Sequence, residues 1–272
     1  MKIACWNVRG FNKPLKQSNA QGLIKKHNLS ILGLLEVKVK ACLVDRMMAT
    51  NFPGMSFIHN FLLSDKSRVL LMWNNSVVNV DLLEMTDQVN HVNVVFLHSN
   101  RVFVISFVYG LNSVVERRPL WDFLMGCGDS VVLPWMVLGD FNCVRFPHEK
   151  MGGLLIRPRD IVDLGRCISH LELSDVNHVG CFFTWSTLAI SSKLDRVMDN
   201  HHWTQSNLDV FVDFLAPGCF SDHAYSVVSI FRDSVRRATP FKFFNMWTLH
   251  PDYHSLVGDN WFYGGGGTHS LY

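Results

Sequence analysis

Polar, acidic and imidazole side chains recur where short apolar runs of this sequence end or begin. Glu36 follows the run Ile31–Leu35. Asp140 follows Val137–Gly139. Because the ends of neighbouring strands share one rim of a sheet, where ligands often bind, we expect such residues to converge. The candidates of this kind are Asn7, Glu36, Tyr109, Asp140, Asn142, Asp195, Ser221, Asp222 and His223.

These residue types suit the hydrolysis of a phosphodiester. Carboxylate oxygens bind Mg²⁺, which keeps several waters and takes one or two protein carboxylates. Asn and Tyr donate hydrogen bonds to phosphate oxygens, and a His beside an Asp transfers protons near neutral pH. The sequence has neither a phosphate-binding loop of the G-x-x-x-x-G-K-[ST] type nor a G-x-S-x-G nucleophile motif.

Each candidate taken alone also has an ordinary structural interpretation. Asn7 after a strand is usual in a turn, and Asp140 with Asn142 could form an Asx turn. Glu36 could lie in a solvated loop, and Ser221–His223 could cap the element that follows. Only the joint occurrence of all of them, in one order along the chain, favours a site.

The candidates must be positioned by strands, because short apolar runs rich in Val, Ile, Phe and Trp recur through the first 230 residues. Helical patterns over Pro14–His27, Val114–Met125 and Asp160–His170 alternate with them. This order predicts an α/β (α+β) fold with two packed sheets and outer helices. The predicted strands are Lys2–Trp6, Ile31–Leu35, Val69–Trp73, Val77–Leu82, Val92–His98, Val102–Tyr109, Trp135–Leu138, Phe182–Trp185, Leu194–Met198 and Tyr225–Ile230.

Composition bounds the class of protein. Of 272 residues, 48% are hydrophobic and the net charge is +2, which excludes a wholly disordered chain and a polybasic binder. Seven cysteines without a C-x-x-C pair predict reduced thiols in an intracellular protein. The longest apolar stretch, Val131–Leu138, is broken by Pro134 and is too short to span a membrane. We therefore expect a soluble protein.

Two further clusters could suggest a binding site, but the sequence favours a structural role for each. His201 and His202 would point to opposite sides of an extended segment, which argues against a joint metal site. Phe182, Phe183 and Trp185 are expected to pack in the core rather than to stack on bases.

The order of the motifs resembles the endonuclease/exonuclease/phosphatase superfamily. Within it, the chain is similar to the apurinic-endonuclease-like domain of plant non-LTR (long interspersed element) retrotransposons, with Pro134–Asn142 and Pro240–Trp247 as the closest segments. The resemblance covers about residues 1–255. The motifs that carry it are Trp6–Gly10, Leu35–Lys38, Val108–Gly110, Gly139–Asn142, Phe183–Ser186, Lys193–Val197 and Ser221–His223.

The resemblance implies a four-layered sandwich of two mixed β-sheets flanked by helices. It also implies an Mg²⁺-dependent DNA endonuclease that leaves 3′-hydroxyl and 5′-phosphate ends. The domain would span residues 1–231, followed by a connector at 232–260 and a disordered tail at 261–272. In the parent elements, a reverse transcriptase follows this connector, and the present chain is too short to contain one.

The resemblance also implies a metal site and its supports. Glu36 would be the main metal ligand, with Asn7 close to metal and phosphate and Asp222 as a second carboxylate on the metal side. Mg²⁺ is the expected ion, and Mn²⁺ is the alternative. Thr184 and Ser221 would support the neighbouring ligands.

The catalytic residues implied by the resemblance lie elsewhere in the same set. Asp140 would orient or deprotonate the attacking water, and Asn142 would fix Asp140 and the scissile phosphate. Tyr109 would donate a hydrogen bond to the phosphate. His223 would contact the phosphoryl oxygen or transfer a proton, oriented by Asp195.

The expected partner is double-stranded DNA, with no membrane and with a reverse transcriptase portion outside this chain. We expect a monomer in the nucleus, with the cytoplasm as the alternative location. Two other functions remain open: an apurinic repair-type endonuclease or phosphatase of the same superfamily, and an inactive DNA-binding relic.

Overall fold

The computed structural model contains two large β-sheets, a small one and five α-helices over the described residues, which are 1–63, 69–206, 208–216, 218, 220–232, 253 and 255. The strands are β1 (Lys2–Asn7), β2 (Ile31–Leu35), β3 (Met55–His59), β4 (Leu70–Asn74), β5 (Val78–Met85), β6 (Val89–Phe96), β7 (Arg101–Tyr109), β8 (Trp135–Asp140), β9 (Lys150–Met151), β10 (Ser174–Asp175), β11 (His178–Gly180), β12 (Trp185–Ser186), β13 (Ser191–Ser192), β14 (Asp195–Asp199), β15 (Leu208–Leu215) and β16 (Tyr225–Arg232). The helices are α1 (Pro14–His27), α2 (Val44–Asn51), α3 (Arg118–Gly128), α4 (Pro158–His170) and α5 (His202–Gln205).

Both large sheets are mixed. The first has the order β11-β15-β16-β1-β2-β4-β3, and the second has the order β10-β14-β8-β7-β6-β5. Strand β1 is parallel to β2, and β7 is parallel to β8, while their other neighbours are antiparallel. Parallel strands need a long crossover, which α1 and α3 supply.

The two sheets pack face to face around an apolar core. Ile3 and Ile31 of the first sheet share this core with Ile105 and Leu138 of the second. Gly33 allows a close approach between the sheets, because a Cβ there would lie 2.4 Å from Cδ1 of the Phe107 ring. The interface between the sheets therefore depends on a residue without a side chain.

Helices cover both outer faces. Leu23 of α1 and Met48 of α2 pack on the first sheet, and Leu120 of α3 and Leu164 of α4 pack on the second. The layers run helix, sheet, sheet, helix, which confirms the predicted four-layered sandwich. None of the helices in the described ranges is long and apolar enough to cross a membrane.

Several local predictions need correction. His202 begins the short helix α5 and His201 is its N-cap, so neither lies on an extended segment, and their ring centroids lie 4.0 Å apart. Phe182 is 44% exposed, so it does not belong to the core as predicted. Strands β3 and β15 and helix α2 were not predicted. The side chains of β3 are all half-buried, so its apolar alternation is faint.

The chain divides into two units, Met1–Asp233 and Ser234–Tyr272. The predicted connector at 232–260 and the tail at 261–272 lie outside the described residues except for Arg232, Tyr253 and Ser255, and they stay predictions. The six described cysteines form no disulfide, in agreement with the predicted thiols, and Cys219 lies outside the described residues.

A buried ion cluster supports the strand that carries Asp195. The fully buried Arg196 guanidinium pairs with Glu149, and its Nη1 lies 3.0 Å from Oδ2 of Asp175. Glu149 also accepts hydrogen bonds from the backbone N–H groups of Arg145 and Phe146, at 2.6 and 3.1 Å. Removing one partner of such a pair leaves an uncompensated buried charge.

The close packing of Gly33 predicts a loss of stability on substitution. Gly33→Ala should destabilise the protein by about 1–3 kcal/mol, because the added methyl group overpacks a filled core. Gly22→Ala is the matched control, since that exposed position in α1 has no atom within 4 Å of an added Cβ. The control should be neutral or stabilising by up to about 1 kcal/mol. Urea unfolding measures both, and equal effects would contradict the packing argument.

The buried pair predicts a second stability effect. Glu149→Gln should destabilise the protein by about 3 kcal/mol, because Arg196 loses a charged partner while Asp175 compensates only in part. Asp160→Asn breaks the exposed pair with Arg157 and should change stability by no more than about 1 kcal/mol. A Glu149→Gln protein as stable as the control in denaturant titration would refute this role.

Candidate active site

Strand register brings three predicted residues side by side. Tyr109 ends β7 and Asp140 ends β8, and the two are direct partners in a parallel pair. Asp195 begins β14 and is the antiparallel partner of Asp140 on the other side. Asp140 therefore lies between a phenol and a second carboxylate at one edge of the second sheet.

The Asp140 carboxylate is fully buried and hydrogen-bonded at both oxygens. Its Oδ2 accepts from Nδ2 of Asn7 at 2.8 Å, and its Oδ1 accepts from the backbone N–H of Asn142 at 2.9 Å. Burial raises the pKa of Asp140 to about 6, with a further rise from Asp195 and an opposing effect of His223. Asn7 ends β1, so this bond joins the edges of both sheets.

Asn142 holds the turn that follows Asp140. It has a left-handed backbone with φ of 49°, and its Nδ2 donates to the Gly110 carbonyl at 2.7 Å. Arg117, which the sequence did not single out, donates from Nη1 to the Asn142 carbonyl at 2.8 Å. The Asx-turn interpretation of Asp140 and Asn142 is thus correct, and the turn itself fixes the buried carboxylate.

His223 lies between the two carboxylates. Its Nδ1 is 3.0 Å from Oδ2 of Asp195, and its Nε2 is 3.8 Å from Oδ2 of Asp140. Burial lowers the pKa of His223, but the charges of Asp195 and Asp140 raise it more, to about 9. Ligand atoms of the three residues lie within 4.8 Å of one another, so the group could also hold a metal ion.

The hydroxyl groups of Thr184 and Ser221 form hydrogen bonds with the backbone around this cluster. Thr184 Oγ1 accepts from the backbone N–H groups of Leu194 and Asp195, at 3.0 and 2.8 Å. Ser221 Oγ donates to the Asn7 carbonyl at 2.7 Å and accepts from the His223 N–H at 3.1 Å. Each hydroxyl fixes the backbone of a residue that contacts Asp140 or His223.

Glu36 is tied to the same edge through Tyr109 and the loop after β1. The backbone N–H of Gly10 donates to the Glu36 carbonyl at 2.8 Å. Burial raises the pKa of the Tyr109 phenol far above its usual value, and the charges of Glu36 and Asp140 and a hydrogen bond with Glu36 raise it further. The Glu36 carboxylate forms an ion pair with Lys38. Tyr109 therefore connects the predicted metal ligand to the carboxylate of β8.

Asp222 is shared between two donors. Its Oδ2 accepts from Nη1 of Arg9 and from Nε1 of Trp185, the latter at 2.9 Å. Its Oδ1 is buried and has no hydrogen-bond partner among the described residues. Burial raises the pKa of Asp222, but the bonds from Arg9 and Trp185 lower it more, so this carboxyl stays ionised.

The sequence interpretation missed the cations of this site. Arg9 and Lys38 belong to the motifs Trp6–Gly10 and Leu35–Lys38, yet no role was assigned to either. Arg9 Nε lies 3.9 Å from Oε2 of Glu36. Both basic residues lie two positions after a predicted metal ligand, Asn7 or Glu36. This spacing could have predicted that they balance the negative charge of the site.

The donor set fits a hard divalent cation. Glu36 and Asp222 offer carboxylates that both contact the Arg9 side chain. Asn7 offers an amide oxygen that accepts a hydrogen bond from the Arg9 backbone. The buried Oδ1 of Asp222 needs a positively charged or donating partner, because an unpaired buried carboxylate oxygen is unfavourable. Mg²⁺ binds one or two protein carboxylates and keeps waters, which this arrangement permits.

A known protein family matches most of the first unit of the chain. The model of the Endonuclease/Exonuclease/phosphatase family matches residues 4–223. No curated protein matches the chain. The match includes the candidate residues from Asn7 to His223.

Solved structures share the fold at low sequence identity. The AP endonuclease LMAP from Leishmania major is 14% identical, with a TM-score of 0.64 over 85% of this chain and 87% of that one. The endonuclease domain of TRAS1, a telomere-specific non-LTR retrotransposon, is 14% identical, with a TM-score of 0.63 over 85% and 97%. The 3′ phosphatase NExo from Neisseria, bound to a product DNA hairpin, is 19% identical, with a TM-score of 0.58 over 85% and 99%.

The contact between Asp195 and His223 predicts a measurable shift. Asp195→Asn should lower the pKa of His223 by at least about 1 unit, because the imidazolium loses a charged acceptor. The stabilisation that this pair supplies is fully present below about pH 6.5 and is lost as the pH rises through about 9. NMR titration of the His223 ring measures the pKa directly.

Asp199→Asn provides the control, because that carboxyl lies at the other end of β14 and pairs across the sheet with Met136. It should leave the His223 pKa unchanged. An unshifted His223 in the Asp195→Asn protein would show that the pair does not set its protonation.

Proposed function

The chain belongs to the Endonuclease/Exonuclease/phosphatase family, and we propose that it is a metal-dependent phosphodiesterase that nicks double-stranded DNA. The products would carry 3′-hydroxyl and 5′-phosphate ends. The observation that carries this proposal is the convergence of Asp140, Asp195 and His223 within 4.8 Å. Asn7 and Tyr109 adjoin Asp140 at the same strand edge.

Asp140 and His223 divide the proton chemistry. With a pKa near 6, Asp140 is mostly ionised at neutral pH and can orient and deprotonate a water. With a pKa near 9, His223 is protonated there and can donate from Nε2 to a phosphoryl oxygen. Asp195 holds Nδ1 of the ring, so only Nε2 faces Asp140 and the substrate.

Neutral donors complete the contact with the phosphate. The raised pKa of Tyr109 keeps its phenol protonated, so it can donate to a non-bridging oxygen. Asn142 fixes the turn next to Asp140 and limits the movement of that carboxylate. Preorganised donors of this kind stabilise charge that develops during phosphoryl transfer.

Glu36 is the proposed main metal ligand, with Asn7 and Asp222 on the same side. When Mg²⁺ or Mn²⁺ is bound there, it would supply positive charge for the phosphate and for the departing oxygen. Lys38 and Arg9 neutralise the charge of Glu36 in part. A metal ion bound to this carboxylate would replace part of their positive charge.

A retrotransposon origin is part of the proposal. The segment Pro240–Trp247 resembles the connector that precedes a reverse transcriptase in plant non-LTR elements, and the TRAS1 domain shares the fold. We propose double-stranded DNA as the partner, a monomeric state and a nuclear location. A repair-type apurinic endonuclease is the second candidate, because the AP endonuclease LMAP from Leishmania major has the same fold.

Plasmid nicking tests the proposed function. The purified protein with Mg²⁺ should convert supercoiled plasmid to the open circular form, and EDTA should abolish this activity. Glu36→Ala, Asp140→Ala and His223→Ala should each reduce the rate by about 10²–10⁴-fold, since each removes a group that contacts water, metal or phosphate. Glu84→Ala, an exposed carboxylate on β5, should keep full activity.

Substrate choice separates the alternatives. Intact plasmid should be cut faster than an abasic oligonucleotide is incised or a phosphate monoester is hydrolysed. A strong preference for the abasic site would favour the repair enzyme, and preference for the monoester would favour a phosphatase. DNA binding without cleavage would indicate the inactive relic, and nicking that survives in all three alanine variants would refute the assigned site.

A further inference from the structure

Arg9 is a half-exposed cation whose main chain is fixed beside the active site. Its backbone has φ of 45°, and its N–H donates to Oδ1 of Asn7 at 3.0 Å. Lys16 Nζ donates to the Arg9 carbonyl at 3.2 Å. The side chain remains 48% exposed, so its guanidinium is accessible from solvent.

Asp222 and Glu36 orient the guanidinium of Arg9. Asp222 Oδ2 accepts from Nη1 of Arg9 and also from Nε1 of Trp185, which fixes this carboxylate from two sides. Arg9 Nε lies 3.9 Å from Glu36. A guanidinium has five N–H donors, and the described residues accept a hydrogen bond only from Nη1, which leaves donors available on the exposed edge.

An exposed ion pair of this kind contributes little to stability. Pairs between partly solvated charges are worth about 0–1 kcal/mol, so folding does not explain why a cation is held among acidic groups. A fixed guanidinium with free donors is suited to bidentate contact with a phosphate. Its exposed position next to the proposed metal ligands points to a DNA strand as the source of that phosphate.

The position of Arg9 also indicates which phosphate it meets. Asp140, which would orient the water, contacts Asn7 and His223, whereas the side-chain partners of Arg9 among the described residues are Asp222 and Glu36. Asn7 separates the two groups, since it bonds Asp140 through Nδ2 and the Arg9 backbone through Oδ1. The guanidinium therefore lies on the side of the proposed metal ligands, across Asn7 from Asp140 and His223.

We infer that Arg9 binds the DNA phosphate next to the one that is cleaved, and that Asp222 and Trp185 position its guanidinium for this contact. The inference rests on the proposed DNA nuclease function and deepens it. Arg9 is a substrate-binding residue, whereas Asp222 Oδ2 and Trp185 act through it.

DNA binding without turnover provides the first test. In EDTA, Arg9→Met should weaken binding to a duplex oligonucleotide about tenfold, measured by fluorescence anisotropy. The slope of log affinity against log salt should become shallower by about 0.9, because one phosphate contact is lost. Arg9→Lys should keep the slope and lose less affinity. Arg118→Met, which removes an exposed Arg 3.9 Å from Asp163, should change neither quantity.

Steady-state nicking provides the second test. Arg9→Met should raise KM about tenfold and leave kcat within about threefold, because a neighbouring phosphate contributes binding and not chemistry. A reduced kcat with an unchanged KM would overturn the inference, since Arg9 would then act on the reacting phosphate. Unchanged affinity and an unchanged salt slope would overturn it as well.

A double-mutant cycle tests the positioning role of Trp185. Trp185→Phe should weaken DNA binding about threefold in the unmodified protein and have no effect in the Arg9→Met background. Equal effects in both backgrounds would show that Trp185 does not act through Arg9. If the unmodified protein neither binds nor cuts DNA, the proposed function fails and the inference fails with it. If the unmodified protein binds and cuts DNA and the Arg9→Met variant has the same affinity, salt slope and KM, the inference alone fails.

Discussion

The burial of the Asp140 carboxylate constrains the arrangement of everything around it. A charge that is fully removed from water must be paired and hydrogen-bonded, and Asn7, Asn142 and His223 meet this requirement from separate parts of the chain. The bond from Asn7 also ties the first sheet to the second at their common edge. The same interactions that make the carboxylate tolerable therefore align the groups that would act on a phosphate.

Charge balance extends from this carboxylate to the neighbouring acidic groups. Asp195 compensates His223, and Arg9 compensates Asp222 and part of Glu36. Each acidic group has a cationic or donating neighbour, yet the buried Oδ1 of Asp222 lacks one among the described residues. The site thus alternates positive and negative groups, which is the pattern needed to hold both a cation and a phosphate.

The scaffold makes this geometry rigid. Gly33 lets Phe107 pack between the sheets, and Arg196 anchors β14 directly after Asp195 through Glu149. The register of the strands sets the positions of the residues at their ends. A shift of the register by one residue would turn each side chain to the opposite face of the sheet. Dense packing and buried pairs in the body of the domain are the physical reason that its edge can hold a precise site.

The sequence by itself determined the fold class, most long strands and the helix Pro14–His27, because apolar periodicity and flanking turn residues are local signals. It also predicted the polar residues at strand ends, and the resemblance to the endonuclease/exonuclease/phosphatase superfamily is confirmed. Only the tertiary structure decided that Asp140 faces His223, that Arg9 binds Asp222, and that Phe182 is exposed. These are contacts between residues far apart in the chain, and they depend on strand order and register, which no local pattern encodes.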